Sequence, residues 1–128
     1  MGRPGHILLV DDEVLLLSLA QTFLEIEGFQ VSKARHGHEA IAILESQKHS
    51  IDMLICDQNM PGLSGIELMQ ELKPRFPELP MVLSSGYDPA ELEEELGVTM
   101  PPYFLRKPYV MEDMIALIHS VLGPADQE

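Results

Sequence analysis

A chain of 128 residues, 45% of them hydrophobic, has the size of one ordinary domain and enough apolar material for one core. Its formal charge of -13 excludes a binder of nucleic acid backbones, which needs a basic face, and suits cations or basic protein partners. A single cysteine, Cys56, excludes an internal disulfide and fits a reducing compartment; no apolar run can span a bilayer, and no signal segment opens the chain. The expectation is a cytoplasmic domain that touches neither nucleic acid nor membrane directly.

Residues 1–5 read as a flexible lead. Ile7–Val10 is a continuous apolar run, the pattern of a strand buried on both faces. From Glu13 to Glu27, Leu16, Leu19, Ala20, Phe23 and Leu24 recur at helical spacing, and Gly28 ends the segment. A strand over Phe29–Ala34 precedes a helix over Gly37–Gln47, with Ala40, Ile41 and Leu44 inward. Ile51–Cys56 is the third strand. Pro61–Gly65 is a loop in which Ser64 caps the next helix, Ile66–Lys73. The spacing then predicts a strand over Pro80–Ser84, an acidic helix over Asp88–Leu96 with Pro89 in its first turn, a strand over Tyr103–Arg106 and a helix over Val110–Leu122. Residues 123–128 read as a polar tail or linker stub.

Strict alternation of strand and helix implies an α/β fold, a parallel sheet with helices on both faces. Ligands of such sheets sit outside the carboxyl ends of the strands. Asp11, Asp12, Asp57, Ser84, Ser85 and Lys107 all fall at such ends. Clustered carboxylates resist joint ionisation unless a cation neutralises them. Magnesium suits oxygen ligands and is commonly held by one or two carboxylates together with phosphate oxygens. One carboxylate of such a site can attack phosphorus and form an acyl phosphate, with a lysine offsetting charge on the transferring group. A hydroxyl of Ser84 or Ser85 is placed to donate to a phosphate oxygen. Taken singly, each residue has a plainer use: Asp11 and Asp12 as helix caps, Asp57 as a turn residue, Lys107 as a solvated charge. Their joint placement favours a site.

The ordered set Leu9-Val10-Asp11-Asp12-Glu13, Asp57-Gln58-Asn59-Met60-Pro61-Gly62, Ser84-Ser85-Gly86-Tyr87 and Phe104-Leu105-Arg106-Lys107-Pro108-Tyr109 resembles the receiver domain of two-component response regulators, over residues 6–122. The resemblance implies a flavodoxin-like (βα)5 fold with strand order 2-1-3-4-5. It implies phosphorylation of Asp57 by a histidine kinase or histidine phosphotransfer domain. By position it assigns magnesium to Asp11, Asp12, Asp57 and the backbone of Asn59, phosphate binding to Lys107, the switch hydroxyl to Ser85 and the switch aromatic to Phe104. It also implies a cis bond before Pro108. The output would be a changed affinity for a downstream protein or for the remainder of a parent chain, and the last segments are similar in wording to receivers at the ends of hybrid sensor kinases. An aspartyl-phosphate phosphatase would want an acid where Asn59 stands, and a flavin carrier a Ser/Thr/Gly-rich loop where Asp11-Asp12-Glu13 stands. A receiver that only docks, without phosphorylation, is the remaining alternative.

The chain departs from the commonest receiver pattern at Ser85, where threonine is more frequent, and at Phe104, which lacks a hydroxyl. It departs most between Asp88 and Pro102, where Glu91, Glu93, Glu94 and Glu95 put in doubt the usual homodimer through that face. Cys56 should point away from Asp57 by strand alternation and be an inert buried thiol. The histidines show no ligand spacing for zinc.

Overall fold

The computed structural model describes residues 5–47 and 50–123; most of the expected lead and all but the first residue of the expected tail lie outside these. The elements run β1 (His6–Val10), α1 (Val14–Ile26), β2 (Gln30–Ala34), α2 (Gly37–Ser46), β3 (Met53–Asp57), α3 (Gly65–Leu72), β4 (Met81–Ser85), α4 (Pro89–Leu96), β5 (Tyr103–Arg106) and α5 (Met111–Leu122). All strand pairs are parallel, as alternation of strand and helix predicts, and the order is β2-β1-β3-β4-β5, the flavodoxin-like order that the resemblance implies.

The three central strands are buried along their whole length, and apolar except at His6, Asp57, Ser84 and Ser85, because both faces of the sheet are covered. On one face Leu8, Val10, Leu54, Cys56 and Leu83 pack against Ala40 and Leu44 of α2, Leu68 and Leu72 of α3, and Leu92 of α4. On the other, Ile7, Leu9, Met53, Ile55 and Val82 pack against Leu17, Ala20 and Leu24 of α1 and Met114 and Ile118 of α5. Residues one apart in a strand belong to opposite clusters, as the pleat requires.

The phase of α1 differs from the sequence expectation. Leu17, Ala20 and Leu24 face the sheet, whereas Leu19 and Phe23 stay 50% and 42% exposed. Leu15 and Ile26 are more exposed still, at 86% and 77%. A helix this rich in leucine offers more than one apolar stripe, and the fit to β1 and α5 selects among them.

Two strand ends run one residue further than expected. Asp57 and Ser85 are the last residues of β3 and β4, held in the ladder instead of in the loops beyond it. The turn after β3 is tightly drawn in. Gly65 N–H donates to the Gln58 carbonyl (3.1 Å) and Ile66 N–H to Gln58 Oε1 (2.9 Å). Ser64 caps α3 as expected, closing a reciprocal pair of hydrogen bonds with Glu67. A Cβ on Gly65 would lie 2.7 Å from the Asp57 carbonyl oxygen, so only glycine lets α3 start this close to the end of β3.

Candidate functional site at the carboxyl ends of the strands

β1 and β3 are adjacent, with Val10 opposite Cys56. Their next residues, Asp11 and Asp57, therefore emerge side by side at the carboxyl edge, and Asp12 follows in the turn into α1. Each of Asp11, Asp12 and Asp57 places a carboxylate oxygen within 4.8 Å of the others. Asp57 is buried, Asp11 half-buried and Asp12 exposed, so the cluster opens to solvent on one side. Asp11 is fixed from two directions: its N–H donates to the Ala34 carbonyl (3.1 Å) and its Oδ1 accepts from Glu13 N–H (2.9 Å).

Lys107 reaches the same point from β5. Its backbone N–H donates to the Ser85 carbonyl (2.8 Å), continuing the β4–β5 ladder, and its Nζ donates to Asp57 Oδ1 at 2.7 Å. The following peptide, Lys107–Pro108, is cis. Burial pulls down the Lys107 pKa, but the hydrogen bond and charge of Asp57, with Asp11 behind it, outweigh this and hold it above the ordinary lysine value. Asp11 is raised above the ordinary carboxylate value, mainly by burial, with the charge of Asp57 adding to it against the hydrogen bond from Glu13. The charge pattern is thus two partly desolvated acids, one exposed acid and one ammonium.

The remaining residues singled out from sequence lie round this centre. Ser84 is directly opposite Asp57 in the β3–β4 register and is buried. Ser85 is the next residue; its Oγ accepts from Tyr87 N–H (3.1 Å), which ties the hydroxyl to its own loop. Asn59 is exposed in the turn after β3. Phe104 is half-buried against the α2–α3–α4 cluster, opposite Leu83, and does not touch the carboxylates through any hydrogen bond or ring contact among the described residues. Cys56 points to that cluster too, its Sγ 3.8 Å from the Gly65 carbonyl oxygen. Full burial and then the charges of Asp57 and Asp11 push the thiol well above its ordinary pKa, so it is a neutral, unreactive core residue.

Two residues matter here that sequence reasoning gave no role. Gln58 locks α3 to the end of β3, and its only signal is its place after Asp57, since its partners are backbone groups. Tyr109 flanks Lys107 and lies close enough to Asp11, Asp57 and Ser84 for all three to act on its phenol; periodicity treats it as a loop residue.

A family model for the response regulator receiver domain matches residues 7–119. The transcriptional regulatory protein CpxR of Klebsiella pneumoniae is 34% identical over 119 residues, which are 92% of this chain and 49% of that protein. The chain spans about half the length of the curated relatives it matches. Among solved structures, the receiver domain from the hybrid histidine kinase CckA is 32% identical with a TM-score of 0.73, covering 91% of this chain and 97% of that one. A chain of the CheX–CheY–BeF3–magnesium complex from Borrelia burgdorferi shares the fold at 23% identity and a TM-score of 0.83, covering 94% of this chain and 90% of that one. No helix among the described residues is long and apolar enough to cross a membrane. With the strand order, the acidic pair after β1, the aspartate ending β3 and the lysine after β5 all in place, the chain belongs to the response regulator receiver domains of two-component systems.

Proposed function

We propose that the chain is a magnesium-dependent phosphorylation switch whose phosphoacceptor is Asp57. The observation that carries this is one cluster: three carboxylates with oxygens within 4.8 Å of one another and an ammonium 2.7 Å from the buried one. An all-oxygen donor set with an open side fits magnesium, which keeps several waters and takes one or two carboxylates. Asp11, Asp12 and Asp57 would hold it, with the Asn59 carbonyl as the backbone ligand. When bound, the ion neutralises the carboxylates and offsets charge on the transferring phosphoryl group.

Asp57 is the nucleophile because it is the buried acid at the end of the central strand, with its carbonyl side packed on Gly65 and one oxygen held by Lys107. Its free carboxylate oxygen forms the new O–P bond. The N–P bond of a phosphohistidine on a histidine kinase or phosphotransfer domain breaks, and the leaving imidazole keeps the electron pair and takes up a proton from solvent. Lys107 then exchanges a carboxylate partner for a phosphoryl oxygen. Ser85 reaches the same phosphoryl group once it gives up Tyr87 N–H. That movement carries the loop at 84–87 with it and leaves room into which Phe104 turns. A local charge thereby biases a two-state surface near α4, β5 and α5 toward a downstream protein or another part of the parent chain. The chain is a phosphoacceptor that assists its own modification, not an enzyme acting on a pool of substrate.

Incubation with magnesium and acetyl phosphate, followed by intact mass measurement, tests this. The expected result is a gain of one phosphate that disappears in Asp57→Asn and in excess EDTA. No gain, which would leave a docking domain only, or an equal gain in Asp57→Asn, overturns the assignment.

A further inference from the structure

Directly under the carboxylates, on the α1–α5 side of the sheet, lies a small, partly open cavity. About 20 Å³ of it is open to a water-sized sphere, and its wall includes Asp11, Asp57, Ser84, Tyr109, Leu17 and Met114. A single ordered water needs about 10–15 Å³ by this measure and two or more polar partners. The volume fits one water, and the wall combines polar and apolar residues.

The Ser84 hydroxyl makes this space more than a packing gap. Ser84 is 3% exposed, stands opposite Asp57 in the register, and its Oγ has no hydrogen-bond partner. A buried hydroxyl left bare is unfavourable, and native interiors rarely leave one so. The Tyr109 phenol stands close enough to this hydroxyl to feel it, yet Ser84 Oγ stays unsatisfied. Two neighbouring polar groups that line a space of one water, one of them unsatisfied, are the usual setting of a bridging water. Tyr109 also forms part of the outer groove with Lys107, Pro108 and Gly86, so Tyr109, like Leu16, borders both that groove and the cavity.

We propose that the cavity holds one ordered water shared by Ser84 Oγ and the Tyr109 hydroxyl and hydrogen-bonded to the acidic cluster above, and that Ser84 and Tyr109 act through it as positioning residues for Asp57. This rests on the reading of Asp57 as phosphoacceptor. Lys107 fixes Asp57 Oδ1 from the outside. The water gives the acidic cluster a second fixed point from below, restricting rotation of the carboxylate before attack. Neither residue touches the incoming phosphoryl donor.

The experiment uses the intact chain, magnesium and acetyl phosphate, with Ser84→Ala, Tyr109→Phe and the double variant, and a crystal structure of the wild type. Each single variant loses one hydrogen bond to the water, so each is expected to slow phosphoryl gain about fivefold. The loss should fall on the saturating rate and leave the half-saturating donor concentration unchanged. Because the two residues share one water, the double variant should be no slower than the slower single one. The crystal structure should show a water within hydrogen-bonding distance of Ser84 Oγ. Single variants at the wild-type rate, effects that multiply in the double variant, or an empty cavity overturn the proposal while the wild type still takes up phosphate. A wild type that takes up none overturns the phosphoacceptor reading and the proposal together.

Discussion

Asp11→Asn should make the metal-free chain more stable. Asp11 has oxygens of Asp12 and Asp57 within 4.8 Å. At that distance and with water-like screening each like-charge pair costs about 0.9 kcal/mol. The substitution removes two such pairs and, with them, the attraction of Asp11 to Lys107, which offsets about half, leaving a net gain of about 1 kcal/mol. The asparagine keeps an Oδ1 for the Glu13 N–H, so the turn into α1 is preserved. On 128 residues a gain of about 1 kcal/mol raises Tm by about 4 °C.

The pH dependence has the same origin. Burial first, and then the charge of Asp57, lift the Asp11 pKa above its ordinary 3.8. Between that value and the raised one the folded state binds more protons than the unfolded state. Stability contributed by Asp11 therefore falls as pH rises through this window and stays lower above it. Asp11→Asn removes that fall. The assay is thermal unfolding followed by circular dichroism, in EDTA and in saturating magnesium, from acid to neutral pH. The variant should melt above the wild type in EDTA at neutral pH, and the gap should close or reverse in magnesium, because the amide is the poorer ligand. A variant that melts below the wild type in EDTA, or a gap indifferent to magnesium, refutes the reasoning.

Three further outcomes follow from the packing around the site. Gly65→Ala places a Cβ 2.6 Å from Leu83 Cδ1 and 2.7 Å from the Asp57 carbonyl oxygen; overpacking against backbone should cost about 1–3 kcal/mol in urea denaturation and weaken magnesium affinity, and an unchanged midpoint would contradict the close approach. Gln58→Ala leaves the buried Ile66 N–H without its 2.9 Å acceptor, a loss of about 1–3 kcal/mol that should also appear as faster amide exchange at the start of α3. Native Cys56 should react with a thiol reagent only as fast as the chain opens, with a steep rise in denaturant; rapid reaction in buffer would show that the thiol is not sealed in the core.

The layout of the fold was legible because its signals are redundant. Ile7–Val10 and Met53–Cys56 are apolar at every position, which a strand covered on both faces demands, and the helices between them have their own stripes and caps. Legibility failed where a signal was over-supplied. In α1, leucine at nearly every turn leaves the inward face undetermined: Leu19 and Phe23 belong to the apolar stripe with Ala20 and Leu24, yet Leu17 packs on the sheet in their place. Strand alternation sufficed to set Cys56 and Asp57 on opposite faces. The meeting of Asp11, Asp12, Asp57 and Lys107 at one edge followed from topology alone. What sequence could not supply was register. The position of Ser84 opposite Asp57 depends on how β4 slides along β3, and nothing local states it. Gln58 and Tyr109 were silent because their roles are played toward backbone and toward a cavity, neither of which has a sequence signature.

The acidic cluster draws on β1 and β3, and its lysine stands 50 positions beyond Asp57. No short segment carries more than a fragment of it. A divalent cation therefore finds its ligands only on a chain whose central strands have already paired. It cannot template an early hairpin or helix; it acts on the finished fold by mass action. Its kinetic signature should lie in the unfolding rate, which slows, while the folding rate stays where it was. A partly folded form with all its helices but with β1 and β3 apart would be blind to magnesium, so sensitivity to the ion gauges assembly of the sheet's centre.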